Sequence, residues 1–213
     1  MDVHPPHEPI RSWKDFILHL LMITLGLLIA LALQAAVESL HHRHMVREAR
    51  ANLRREIVEN QRLYTENLRS VQTELVRLEQ NIEQLRELRA GKTPEHFDLP
   101  WDFRWNGFIE SAWMSARDIG AIGYMQPEVI EKYSGIYRQQ TFVNEEGVGI
   151  FFDQAKAAAP LLTAKNRKDP KELLPGDIQA MLLSAAELEG RVKTLQATMK
   201  TLDVDYTEQL RKP

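Results

Sequence analysis

An uninterrupted apolar stretch at positions 16–37, FILHLLMITLGLLIALALQAAV, constrains this chain more than any other feature. It contains no Asp, Glu, Lys or Arg, and at 1.5 Å rise per residue a helix of this length covers the roughly 30 Å hydrocarbon thickness of a bilayer. We read positions 13–39 as one transmembrane helix, preceded by an extended tail at 1–12 that carries Pro5, Pro6 and Pro9. Ser12 is placed to cap the helix, with Asp15 in its first turn, and Trp13 falls where an indole buries its ring and keeps its N–H wet. The rival reading is a secretory signal peptide, with Ala30-Leu31-Ala32 as the cleavage site. Its weakness is an apolar run longer than a signal peptide's, with nothing to break the helix near the cut.

Cations set the expected orientation. Arg11 and Lys14 before the span are offset by Asp2, Glu8 and Asp15, whereas Arg43, Arg47, Arg50, Arg54 and Arg55 follow it, which places the large domain in the cytoplasm. Within the span, Gly26, Ala30 and Gln34 form a stripe suited to close helix packing, although small residues are common in any membrane helix. His19 reads either as a buried cofactor ligand or, more simply, as a side chain reaching headgroups.

About 170 of the 213 residues remain outside the tail and span, enough for one domain. The net charge of -3 argues against a general nucleic-acid binder. Without cysteine there is no disulfide, thiolate metal site or Cys nucleophile. From 38 to 90 there is neither Pro nor Gly, so the span is expected to continue as a long helix over 40–90. Leu53, Ile57, Tyr64, Leu68, Val71, Leu75, Leu78, Ile82 and Leu85 mark its apolar stripe, heptad-spaced from Leu68 onward. Asn60 and Asn67 fall on the inward side, where buried asparagines fix register at a cost in stability. Glu66 with Arg69, Glu74 with Arg77, and Glu83 with Arg86 read as pairs on a solvated face. His41, Arg43, His44 and Arg47 read as a cationic collar on lipid headgroups, and His41 with His44 alone make too few ligands for a metal.

Gly91 ends that helix and Pro94 prevents its resumption, opening a Trp-rich helical insert at 91–165. Trp101, Phe103 and Trp105 read as a ligand box or as rings fastening a loop to a core. A short helix over 106–119 carries Trp113, Gly120 and Gly123 close it, and Pro127 opens the next helix. Gly147-Val148-Gly149 lacks a dinucleotide fingerprint and reads as a break before a helix over 150–162. The last segment, 166–213, is a polar loop followed by a helix capped by Asp177, with Met181, Ala185, Leu188, Val192, Leu195, Met199, Leu202 and Tyr206 in regular heptads. The expected fold is all-α, with an antiparallel hairpin of the two heptad helices around the insert.

Hydrolytic triads, phosphate-binding loops, zinc helices and EF-hand loops are absent, and the acidic pairs Glu145–Glu146 and Asp203–Asp205 lie on helix surfaces. No catalytic, cofactor or metal residue is expected. The segments ITLGLLIALALQAAVESLHHRHMVREARANLRREI and AWMSARDIGAIGYMQPEVIEKYSGIY resemble a bacterial family of unknown function, with one N-terminal span, a long charged helix and a Trp-containing helix ahead of a tyrosine-rich one. The likeness covers about the first two thirds, and within it Gly26, Ala30, Trp113, Gly120 and Met125 match as packing positions. It implies the bacterial inner membrane. The function expected is non-enzymatic assembly, as a homo-oligomer or accessory subunit, with lipids and membrane proteins as partners and no nucleic acid or small substrate. A ligand-binding sensor using the 101–113 region is the alternative.

Overall fold

A computed structural model describes residues 12–211, so the tail expected at 1–12 lies outside the described residues except for Ser12. Four α-helices and no strand occur among them: α1 (Trp13–Arg89), α2 (Ser111–Asp118), α3 (Pro127–Thr163) and α4 (Pro175–Arg211). The chain divides into two compact units, 1–48 and 49–213, and α1 contributes to both.

In the first unit Ser12 caps α1, its hydroxyl accepting from the Lys14 N–H at 3.2 Å and its carbonyl from Asp15 and Phe16. The residues from 16 to 37 are all exposed, and α1 is long and apolar enough there to cross a membrane.

The second unit is a bundle of α1, α3 and α4. Arg54 of α1 donates to the Leu210 carbonyl at 2.8 Å, and Arg89 donates to Gln179 at 3.4 Å, so α4 runs antiparallel to α1. It is also antiparallel to α3, since Gln140 donates to Tyr206 at 2.7 Å while Lys156 pairs with Glu187 at 3.6 Å. Two helices that each oppose α4 must be parallel to one another. Tyr137 accordingly meets Glu56, and Gln154 meets Glu74. Every expected heptad residue of α4, from Met181 to Tyr206, is buried. In α1 Leu53, Ile57, Val71, Leu78 and Leu85 are fully buried, while Leu68 and Leu75 lie at the margin. At one end Ile82, Leu85, Phe97, Leu99, Met181 and Ala185 share a core.

The helix ends follow local chemistry. Gly91 takes φ +75, and the Lys92 N–H bonds back to the Glu87 carbonyl, closing α1 with a left-handed cap. Gly120, at φ +74, turns the chain from α2 into a 3-10 turn at Ala121–Tyr124. Pro127 opens α3, and Asp177 reaches back from within α4 to the Leu174 N–H at 3.1 Å.

Two expectations need correction. The short helix begins at Ser111 rather than at 106, because residues 97–110 are held in another conformation described below. The break expected at Gly147 and Gly149 does not occur, and α3 runs through both as a full member of the bundle. Their missing side chains serve packing. A Cβ at Gly147 would overlap the Trp105 indole, and one at Gly149 would lie 2.7 Å from Arg191 Nη2. Arg191 uses that clearance to pair with Asp153 and Glu146.

Gly147→Ala should therefore lower stability by about 1–2 kcal/mol, the overpacking cost exceeding the gain in helix propensity. Gly135→Ala and Gly190→Ala, where nothing lies within 4 Å, should be neutral or stabilising by up to about 1 kcal/mol. Denaturant midpoints of the three variants check this ordering, and equal behaviour would contradict it.

Candidate functional site

Parallel α1 and α3 oblige the chain to return along the bundle between them. Residues 97–110, which have no regular secondary structure, make most of that return as a strap seated on both helices. Side chains bond its backbone at Asp98, Pro100, Phe103, Arg104, Asn106, Phe108 and Ile109. Gln84 receives the Asp98 N–H at 3.0 Å and donates to the Asp98 carbonyl at 2.9 Å. Asn67 does the same with Asn106, at 2.9 and 2.7 Å, and Asn60 with Ile109, at 2.8 and 2.7 Å. Each carboxamide thus offers one donor and one acceptor to one residue's backbone, as a neighbouring strand would. Asn81 donates to the Pro100 carbonyl at 3.0 Å, yet its Oδ1 has no partner among the described residues. Residue 100 is proline and has no N–H to give.

From the α3 side, Gln154 accepts from the Phe103 N–H at 3.1 Å, and Asn144 accepts from the Phe108 N–H at 3.0 Å and Trp105 Nε1 at 3.3 Å. The strap ends where Glu56 takes over. Its carboxylate accepts from the Ser111 hydroxyl, the Ala112 N–H and the Tyr137 hydroxyl, so a negative charge sits at the start of α2. Burial, with that bond to Glu56, pushes the Tyr137 hydroxyl well above its ordinary pKa and keeps it a donor.

The register follows from rise per residue. Asn60, Asn67, Glu74 and Asn81 are seven apart on α1, about 10.5 Å per step at 1.5 Å per residue. The strap residues Ile109, Asn106, Phe103 and Pro100 that lie opposite them are three apart, about 10 Å for nearly extended chain. Asn60 and Asn67 are fully buried, as their inward placement in the sequence suggests, but they clamp the strap rather than a partner helix. From the sequence, Asn81, Gln140 and Gln154 draw no notice and Glu74 reads only as a surface partner of Arg77, although the seven-residue recurrence 60-67-74-81 carries a signal for Glu74 and Asn81.

Glu74 corrects another expectation: it is buried at 1% exposure, and Arg77 pairs with Asp102 of the strap instead. Glu66 likewise pairs with Arg62, while Glu83 and Arg86 do pair at 3.5 Å. The Glu74 Oε1 accepts from Gln154 Nε2 at 2.6 Å, which turns the Gln154 oxygen toward the strap, and its Oε2 has no partner among the described residues. Burial raises its pKa, with Asp102 adding to the rise and the Gln154 bond and Arg77 opposing it.

The aromatic residues fill this seat. Phe103 and Phe108 are buried, Trp105 stacks on Phe103 at 6.1 Å and meets Phe108 edge-on at 6.0 Å, and its indole occupies the space above Gly147. Trp113 stacks on Tyr137 at 5.2 Å. Trp101 packs half-buried against the core at the other end of the strap, and its Nε1 has no partner among the described residues. Gly120 lies on the surface at its left-handed turn.

In the first unit Gly26, Ala30 and Gln34 are exposed, and nothing lies within 4 Å of a Cβ built on Gly26. The His19 ring bonds the Asp15 carbonyl of its own helix at 2.7 Å. Trp13 stacks on Phe16 at 5.5 Å. His41, Arg43, His44 and Arg47 are exposed, with His44 3.9 Å from Glu48. No group of three or more metal-ligating side chains occurs among the described residues. Comparison with protein-family models, curated proteins and solved structures finds no match.

Because the folded state holds the Glu74 proton more tightly than the unfolded chain does, this group's favourable contribution is complete below the ordinary carboxylate range of about 4.3 and is lost as pH rises through its higher folded value. In Glu74→Gln that pH-dependent loss should disappear, so the stability difference between variant and wild type should shift in the variant's favour from pH 4 to pH 8. Chemical denaturation across that range measures it, and parallel pH profiles would contradict it.

Proposed function

We propose that this chain is a single-pass protein of the bacterial inner membrane with no chemistry of its own, whose helical unit serves assembly, either with copies of itself or as an accessory subunit of a membrane complex. The cytoplasm is the side assigned to the unit by the arginines that follow the span. Membrane lipids are then its first partner, through Trp13, His41, Arg43, His44 and Arg47.

One observation carries the assembly reading. A flank of α3 carrying Val148, Phe152 and Leu162 is exposed in the bundle, Phe152 at 70% and Leu162 at 55%, beside Phe151, whose ring packs partly on Phe103. Clustered apolar surface of this kind marks interaction sites far more often than isolated exposed residues do. The aromatic region offers less to a small ligand, because Trp105 and Phe103 occupy the seat a pocket would need.

The mass of the crosslinked complex extracted into nanodiscs tests the proposal. A discrete species larger than the 24.6 kDa chain is expected, reverting toward the single chain in Phe152→Glu without loss of helicity. A bare monomer before and after crosslinking would sink it.

A further inference from the structure

Glu74 lies beneath the strap with too few partners to hold a charge. It is 1% exposed, its Oε1 accepts from Gln154 Nε2 at 2.6 Å, and its Oε2 has no partner among the described residues. On α1 itself Arg77 stands three residues along, and it is paired with Asp102 of the strap. From α3 the facing group is the uncharged Gln154. On α4, whose register to α1 is set by the Arg54–Leu210 and Arg89–Gln179 bonds, buried Val192 comes to this level, and Arg191 beside it is paired with Glu146 and Asp153.

The strap is weakest at the same height. Gln84 bonds both backbone groups of Asp98, Ser70 both of Arg104, Asn67 both of Asn106 and Asn60 both of Ile109. Over residues 100–103 the hold is thinner. Asn81 Oδ1 and Trp101 Nε1 have no partner among the described residues, and the Phe103 N–H rests on Gln154, which Glu74 orients.

From this arrangement we propose that Glu74 is a proton-operated latch on residues 100–103 of the strap. Protonated, it stays inside and orients Gln154. On losing its proton to solvent it turns toward Arg77 and draws that guanidinium from Asp102. Gln154 then lacks its acceptor, and residues 100–103 lose both the ion pair and the Phe103 bond while Gln84 and Asn67 keep the flanking residues seated. A carboxylate is costly to hold in the interior on one hydrogen bond, whereas opposite charges three residues apart on a helix attract. Burial is the largest influence on the Glu74 pKa and raises it, the Gln154 bond and Arg77 oppose the rise, and Asp102 adds to it. The closed latch is therefore complete below the ordinary carboxylate range of about 4.3 and is lost as pH rises through the higher folded value. Opening uncovers the Phe103 ring, which is 4% exposed when the strap is closed.

The test is amide exchange of the full chain in maltoside micelles at intervals from pH 5 to pH 8, expressed as protection factors so that the intrinsic pH dependence of exchange cancels. Phe103 protection should fall at least tenfold over that range, while Asn106 and Ile109 change by less than about twofold. In Glu74→Gln, Phe103 should keep at pH 8 the protection it has at pH 5. Arg77→Gln should move the midpoint of the Phe103 transition to higher pH and Asp102→Asn should move it to lower pH, opposite shifts that a general loosening of the strap would not produce. Phe103 protection independent of pH, an equal fall in Glu74→Gln, a parallel fall at Asn106 and Ile109, or midpoints that move together in the two charge variants would overturn the latch.

Discussion

Side-chain carboxamides that hydrogen-bond the backbone of residues 97–110 are the interaction on which the second unit depends. A strap without helix or strand leaves its amide and carbonyl groups to be satisfied from outside, and burying them unpaired costs about 1–3 kcal/mol each. Gln84, Asn81, Asn67 and Asn60 on one side, with Gln154 and Asn144 on the other, meet that requirement. Because the strap is held, Phe103, Trp105 and Phe108 sit at fixed depths, Gly147 has an indole to receive, and α2 starts where Glu56 can cap it. The parallel placement of α1 and α3, which a short loop cannot connect, rests on the same contacts.

Most of the architecture was legible in the chain. An N-terminal helix long and apolar enough to cross a membrane, its continuation to Arg89, the left-handed cap at Gly91, the proline start of α3 and the heptads of α4 all follow from local rules, and the structure has each of them. What misled was chemistry whose meaning lies in distant partners. Gly147 and Gly149 look like helix breakers until Trp105 and Arg191 are placed against them. Asn67 in an apolar stripe reads as a register device between helices, since nothing local announces Asn106 as its partner. The expected pair Glu74–Arg77 is three residues apart on one helix and yet divided between the interior and the strap. The seat of the aromatic residues was legible as packing, but the amide ladder beneath it was not.

The two units differ in what their surfaces expose. Residues 16–37 present an apolar exterior with no Asp, Glu, Lys or Arg, suited to lipid, while the bundle keeps its heptad residues inside and exposes apolar groups at scattered positions, among them one flank of α3. The buried polar groups of the bundle serve structure: Glu56 caps, Gln154 and Asn144 clamp, and Tyr137 donates. A helix long and apolar enough to cross a membrane, a three-helix bundle and a partly exposed apolar flank are what the assembly role proposed for the chain rests on.

The most direct test of the central claim is hydrogen exchange at the backbone amides of Phe103, Asn106, Phe108 and Ile109 in the folded chain. Held by Gln154, Asn67, Asn144 and Asn60, these amides should exchange orders of magnitude more slowly than an open loop and approach the protection of Val71 in the core of α1. Exchange of the strap amides within seconds, while Val71 stays protected, would show that the strap is not clamped and would contradict the account.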